Sequence, residues 1–232
     1  PSPLRHMCSG QHSVFILLAK LGGWELDDYW EPEHLAHRAY SEAVAAAYDV
    51  RPDQLRTGID GCGVLTYAFR LREVARAYAM LAAPDAIPAT DRRSVLAPHL
   101  EAIRDAMLAY PDLVSGTRER LDSALMKTVP GRVVSKSGME ALRGVGILHG
   151  TRDGTSETQP TGLAVKMEDG DGYDRGTHAA SVEALRQVGL LNAEAVRLLG
   201  RYHRPPSLDP RGNVAAEAIA EFELAPVGEL VG

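Results

Sequence analysis

The chain of 232 residues carries 25 Lys+Arg against 31 Asp+Glu, two cysteines, 45% hydrophobic residues and 24% charged ones. That length suits one large domain or two small ones with material for a real core, and the composition excludes global disorder. The net charge of −6 argues against a general nucleic-acid binder, two cysteines cannot make a disulfide framework, and no apolar run approaches the ~20 residues of a membrane span.

The opening Pro1-Ser2-Pro3-Leu4-Arg5-His6 reads as neither a signal nor a transit peptide, because no basic stretch leads into an apolar one. A cytoplasmic location is expected, where both thiols stay reduced and free for metal or packing. Val14, Phe15, Leu17, Leu18 and Leu21 then give an apolar face at helical spacing, closed by Gly22-Gly23. Leu35, Ala39, Ala43 and Ala46 predict a second helix, entered at Pro32 as a first-turn proline. Leu71, Val74, Ala75, Tyr78 and Leu81 predict a third that ends before Pro84. A fourth pattern runs from a Thr90 N-cap through Val95, Leu100, Ile103, Met107 and Leu108, and Pro98 must kink it or start a new helix. Leu121, Leu125 and Met126 give a short fifth stripe that stops at Pro130-Gly131.

Beyond residue 130 the texture changes. Val133-Val134-Ser135-Lys136 is β-branched and short, and 162–168 alternates, with Leu163, Val165 and Met167 on one face. The polar stretch 151–160 between them reads as a loop. Two helices follow, one capped by Thr177 and one by Asn192, and 214–224 reads as a last strand with an apolar face. Strands that cluster instead of alternating with single helices predict an α+β fold: a helical block, an antiparallel sheet and flanking helices. There is no internal repeat and no low-complexity segment. The expectation is one domain over 1–232, mainly helical in 1–130, with strands plus helices in 131–232.

Both cysteines stand in glycine-flanked turns, Cys8-Ser9-Gly10-Gln11-His12 and Gly58-Ile59-Asp60-Gly61-Cys62-Gly63. A helix starting directly after Cys8 offers free N–H groups and its positive end, which favour a thiolate. A small buried hydrophobe is the alternative, and without a CxxC pair the spacing does not decide between them. His34 and His37, three apart on a predicted helix, read as a solvated pair more readily than as a metal face. Asp60 between two glycines either bonds its own backbone or binds an ammonium group. Lys136 precedes Ser137-Gly138 at a strand end, which is similar to the Lys-Thr-Gly element of serine β-lactamases; a strand-edge lysine guarding against aggregation is the alternative. No Ser-x-x-Lys, Gly-x-Ser-x-Gly, P-loop, GxGxxG or HExxH occurs.

Taken in order, Cys-Ser-Gly-Gln-His at 8–12, Gly-Ile-Asp-Gly-Cys-Gly at 58–63 and Pro-Gly-Arg-Val-Val-Ser-Lys-Ser-Gly at 130–138 resemble the asparaginase II family, the class 3 or Rhizobium-type L-asparaginases. Gly116-Thr117 with Asp122 and Leu125-Met126, and Gly-Leu-Ala-Val-Lys-Met-Glu-Asp-Gly at 162–170, extend the resemblance over 3–222. It implies hydrolysis of L-asparagine to aspartate and ammonia on a serine β-lactamase/glutaminase-like fold, by serine–lysine nucleophilic catalysis near a zinc ion. By motif it makes Lys136 the catalytic lysine, Asp60 and His12 contacts for substrate, and Cys8 and Cys62 zinc ligands, with no organic cofactor. It also implies a small amide such as asparagine as the partner and a homodimer as the assembly.

Two departures qualify that picture. Gln11 stands where the family places a metal-binding lysine, and a neutral amide oxygen is the weaker zinc ligand. The family's first segment, which brings the Ser-x-x-Lys pair and a second serine, has no counterpart in these residues, so Lys136 lacks a serine to activate. The competing expectation is therefore a catalytically inactive, truncated homologue acting as a small amino-acid-binding or interaction module. A module in which zinc on the two cysteines serves structure alone is a third.

Overall fold

A computed structural model describes residues 6–148, 160–170 and 175–225. The chain separates into two compact units, Pro1–Arg70 with Thr90–Arg93, and Leu71–Ala89 with Ser94–Gly232.

In the first unit, helix α1 covers Ser9–Gly22 and stops at Gly23, whose φ of 68° is the left-handed cap that glycine adopts without a Cβ clash. Only Phe15 and Ala19 of α1 are buried; Val14, Leu17 and Leu21 of the expected apolar face are exposed. The helix docks through the narrower Phe15–Ala19 side, where the small Ala19 joins Ala36 and Val64 in one cluster. Helix α2 covers Leu35–Ala47 and begins after Pro32, not at it: the His34 ring caps the helix by accepting the Ala36 amide at 3.1 Å. Its buried residues are Ala36, His37 and Ala45, so the stripe of Leu35, Ala39, Ala43 and Ala46 is off by about a residue at the start. A short antiparallel hairpin, β1 (Thr57–Ile59) and β2 (Leu65–Tyr67), then interrupts the stretch expected to be mainly helical.

The second unit opens with α3 (Leu71–Ala82), which ends before Pro84 as the spacing predicts. Pro98 starts a helix instead of kinking one: it lies in the first turn of α4 (Ala97–Ala109), after a 3-10 turn at Arg92–Leu96. Helices α5 (Pro111–Ser115) and α6 (Leu121–Thr128) lead into a three-stranded antiparallel sheet of β3 (Val133–Gly138), β4 (Leu142–Ile147) and β5 (Thr161–Lys166), in that spatial order. Strand β4 has no counterpart in the sequence reading, and the loop expected at 151–160 lies, apart from Pro160, outside the described residues. Helices α7 (Gly176–Gln187), α8 (Ala193–Leu198) and α9 (Gly200–His203) follow. Asn192 caps α8 by accepting the Ala195 amide, as expected. Thr177 is not the N-cap residue; it lies inside α7 and donates to the Ala141 carbonyl at 3.2 Å. The last strand is shorter than 214–224: β7 (Val214–Glu217) pairs with β6 (Pro206–Leu208) in an exposed ribbon with no layer to extend it.

The two faces of the main sheet pack differently. On one, Val133, Val145 and Ile147 join Leu121, Leu125, Met126, Val182, Leu185 and Leu190 in the largest core of the described residues. On the other, Gly144, Gly146 and Gly162 open a groove for α3. A Cβ at 144 would run into the Tyr78 ring, and one at 162 into the Ala75 carbonyl oxygen. Helix, sheet and helix thus form three layers in this unit, and the mixture of helices with small antiparallel sheets is α+β.

Candidate functional site

Cys8 is the residue before α1, and its carbonyl accepts the His12 amide at 3.1 Å. Cys62 sits at the tip of the β1–β2 hairpin in a loop with its own fastenings. Asp60 Oδ1 accepts the Cys62 amide at 2.7 Å and the Val64 amide at 3.3 Å. Asp60 N–H donates to the Val64 carbonyl, Gly63 N–H donates to the Asp60 carbonyl, and Val64 is fully buried. Gly63 takes a φ of 82°, the backbone position that requires glycine in this loop. Asp60 therefore bonds its own backbone through one oxygen, and in doing so it fixes the loop that carries Cys62.

The two sulfurs meet. Cys8 and Cys62 are joined as a disulfide across 54 residues, which corrects the expectation of two reduced thiols. Sequence distance hid the pairing, since neither glycine turn signals the other. A zinc ion on this pair is not supported in the disulfide form, because a disulfide sulfur carries no thiolate charge to donate. The third metal-capable donor at the pair is His6: its ring nitrogen and the two sulfurs lie within 4.8 Å of one another. A turn folds His6 over Cys8, with the Cys8 amide donating to His6 Nδ1 at 3.2 Å and the Ser9 amide donating to the His6 carbonyl at 3.0 Å. The spacing His6-x-Cys8 was the available signal for it. Gln11, the expected third ligand, is half-buried in the first turn of α1.

His12 is half-buried and its Nδ1 lies 2.8 Å from the Tyr29 hydroxyl, with the rings edge to face. His34 and His37 form neither a metal face nor a solvated pair. His34 caps α2, and its Nε2 bonds the Glu25 carbonyl at 3.0 Å. His37 is fully buried, its ring 4.1 Å from that of Phe15. Its ring nitrogens make no well-formed hydrogen bond, the Tyr29 backbone offering only a weak one, and burial lowers its pKa with help from His34 and His12.

Lys136 belongs to the second unit. It pairs with Gly144 across β3 and β4, while its neighbours Ser135 and Ser137 alternate to the opposite face. Those two serines are held by Asp122 of α6. The Asp122 carboxylate accepts Ser135 Oγ at 2.6 Å, Ser137 Oγ at 2.8 Å, the Ser137 amide at 3.0 Å and Ser115 Oγ at 3.1 Å, and it pairs with the buried Arg143 guanidinium. Burial pushes the Asp122 pKa up, but Arg143 and the serines together outweigh it and the net shift is down. A buried carboxylate this well supplied with donors stays ionised and clamps the strand on both sides of Lys136.

The tip of Lys136 reaches solvent and its Nζ donates to the Ser137 carbonyl. Protein is nonetheless dense around the side chain, and that desolvation lowers its pKa; Asp122 opposes the shift, while Arg143 and Arg120 add to it. Arg143 and the buried His178 had no sequence signal. Arg143 falls on the core face of β4, where the pleat predicts an apolar residue.

A family model described as L-asparaginase II matches residues 1–220. No curated protein matches the chain.

Proposed function

The chain belongs to the L-asparaginase II family, and from that premise we propose that it is an amidohydrolase that cleaves the side-chain amide of L-asparagine to aspartate and ammonia. The match over 1–220 carries this reading and supports an L-asparaginase-like function in general. It also supports taking both units as parts of one asparaginase II-like domain over 1–232, with a serine β-lactamase/glutaminase-like fold.

The chemistry assigns the roles. An amide carbonyl is a poor electrophile, so attack needs a serine oxygen whose proton is taken up as the new C–O bond forms. We assign that proton to Lys136, whose desolvation shifts it toward the neutral amine. The proton passes on to the departing ammonia, and water then cleaves the acyl ester to release aspartate. Asp60 binds the substrate's α-ammonium through the carboxylate oxygen not engaged with Cys62 and Val64, and His12 assists in substrate contact. In the reduced form Cys8 and Cys62 would hold a zinc ion, which supplies a fixed positive charge there. A homodimer and a cytoplasmic location complete the reading. The described residues contain no helix long and apolar enough to cross a membrane. Sedimentation velocity checks the dimer, and a monomer at all concentrations removes it.

One observation favours a second reading, binding of a small amino acid without turnover: Gln11 stands where the family resemblance places a metal-binding lysine. Ammonia release from L-asparagine, with L-glutamine in parallel, decides between the two. The hydrolase reading expects ammonia release that rises with pH as Lys136 deprotonates. It expects a loss of at least about 100-fold in Lys136→Ala and no rescue by Lys136→Arg, whose guanidinium stays charged. Calorimetric binding of asparagine without ammonia supports the second reading, and neither binding nor ammonia overturns both.

A further inference from the structure

We propose that Asp122 is the positioning residue for Lys136: through Ser135 and Ser137 its carboxylate fixes the stretch of β3 that presents the lysine, and through the Ser137 peptide it sets where the amine rests. The proposal deepens the hydrolase reading, because it rests on the proton role given there to Lys136.

The contacts form a short chain of fixed groups. Asp122 Oδ2 accepts the Ser137 amide at 3.0 Å and Ser137 Oγ at 2.8 Å, so one oxygen holds that residue by backbone and side chain together. The carbonyl of the same residue accepts Lys136 Nζ. A residue held at both its amide and its hydroxyl has little freedom to turn its carbonyl, so Asp122 orients the acceptor of the lysine at one remove. On the other side of Lys136, Asp122 Oδ1 accepts Ser135 Oγ at 2.6 Å. Side chains alternate along a strand, so both serines face Asp122 while Lys136 projects from the opposite side. The carboxylate can therefore hold the strand without standing in the way of the amine.

Stability alone is a poor reason for this cluster. Asp122 and its partner Arg143 are each 1% exposed, and a buried ion pair can often be replaced by apolar residues at no loss of stability. The pair is also incompletely satisfied: among the described residues, Arg143 Nε is buried without a hydrogen-bond partner, which costs stability. Arg143 lies directly across from Ser137 in the β3–β4 register, so its charge bears on the same short segment. What the arrangement provides is place, since three hydroxyls, one amide and one guanidinium converge on a single carboxylate. The same carboxylate also acts by charge. Desolvation is the main cause that lowers the Lys136 pKa; Asp122 opposes that shift, and Arg143 and Arg120 add to it. The buried His178 of α7, whose own pKa is lowered to about 4 chiefly by burial, stays neutral at neutral pH and adds no charge.

The test uses the full chain in two forms. Lysines stand at Lys20, Lys127, Lys136 and Lys166 alone, so reductive methylation with 13C-formaldehyde gives few dimethylamine signals, and Lys136→Arg identifies the one from Lys136. Its shift against pH reports where that amine loses its proton, and its line width reports how freely it moves. Asp122→Asn keeps the shape and removes the charge. It is expected to move the midpoint to lower pH, because the guanidinium charges then act on the amine unopposed. Ser135→Ala with Ser137→Ala keeps the Asp122–Arg143 pair and is expected to sharpen the Lys136 signal as the amine is released. In the unmethylated chain, kcat for ammonia release from L-asparagine is expected to fall about 10- to 100-fold in either variant, with KM little changed. A midpoint that holds or rises in Asp122→Asn, or a Lys136 signal of unchanged width in the serine variant, would overturn the proposal. Should Asp122→Asn not fold, the serine variant decides alone. Ammonia release with an unmoved Lys136 signal sinks this inference and spares the hydrolase reading; the expected signal changes without any ammonia release do the reverse.

Discussion

His178 is buried on α7 with its ring edge-on to Tyr202 at 5.3 Å. Burial is the main cause that lowers its pKa to about 4, with Arg143, Arg120 and Arg201 adding to the shift and Asp122 opposing it. In the unfolded chain the ring titrates near 6.5, so between those values the unfolded state binds the proton that the native state refuses. Stability therefore falls as pH drops from about 6.5 to about 4, by roughly 3 kcal/mol from this group, and no further below that. Denaturant midpoints measured across that window should show the decline, and His178→Gln should flatten it. An unchanged slope in the variant would assign the acid sensitivity elsewhere, with the buried His37 the first candidate. Histidines also mark the limit of sequence reading at this scale. Their spacing places His34 and His37 on one helix, but whether a ring caps, packs or binds is decided by what the tertiary fold brings against it.

Elements were legible where one periodicity persisted. Helices α3 and α6 and strands β3 and β5 stand close to where apolar spacing places them. What escaped was short or broken by glycine. The strands β1 and β2 are three residues each, too short to show alternation, and β4 reads Leu-Arg-Gly-Val-Gly-Ile, where two glycines erase one face of the pattern. Those glycines are the means by which α3 comes close to the sheet. The backbone of α3 stands where Cβ atoms at 146 and 162 would be, with the Tyr78 and Ala75 carbonyl oxygens in the way. Backbone yields less readily than the end of a side chain, so Gly162→Ala is expected to cost at least the 1–3 kcal/mol of a typical overpacked site, about 3 or more here. Urea unfolding followed by far-UV circular dichroism measures it, and a loss below about 1 kcal/mol would mean that α3 rides away from the sheet at little cost.

At the scale of the molecule the family match runs through both units, while their means of support differ. The second unit holds the larger core, from Leu121 to Tyr202. The first relies on an apolar cluster of four fully buried residues, Phe15, Ala19, Ala36 and Val64, and on a covalent link across 54 residues of chain. A cross-link of that span restricts the unfolded chain by an amount worth about 4 kcal/mol in the loop-entropy account. A core this small leaves little in reserve when that contribution is removed. Reduction should therefore loosen the first unit selectively. Amide hydrogen exchange is the appropriate measurement, because it resolves the units without requiring them to unfold together. In the reduced chain, amides of α1, α2 and the β1–β2 hairpin should exchange faster, while those of β3, β4 and β5 keep their protection. Equal loss of protection in both units would instead make them one cooperative block, and the disulfide a support for the whole chain.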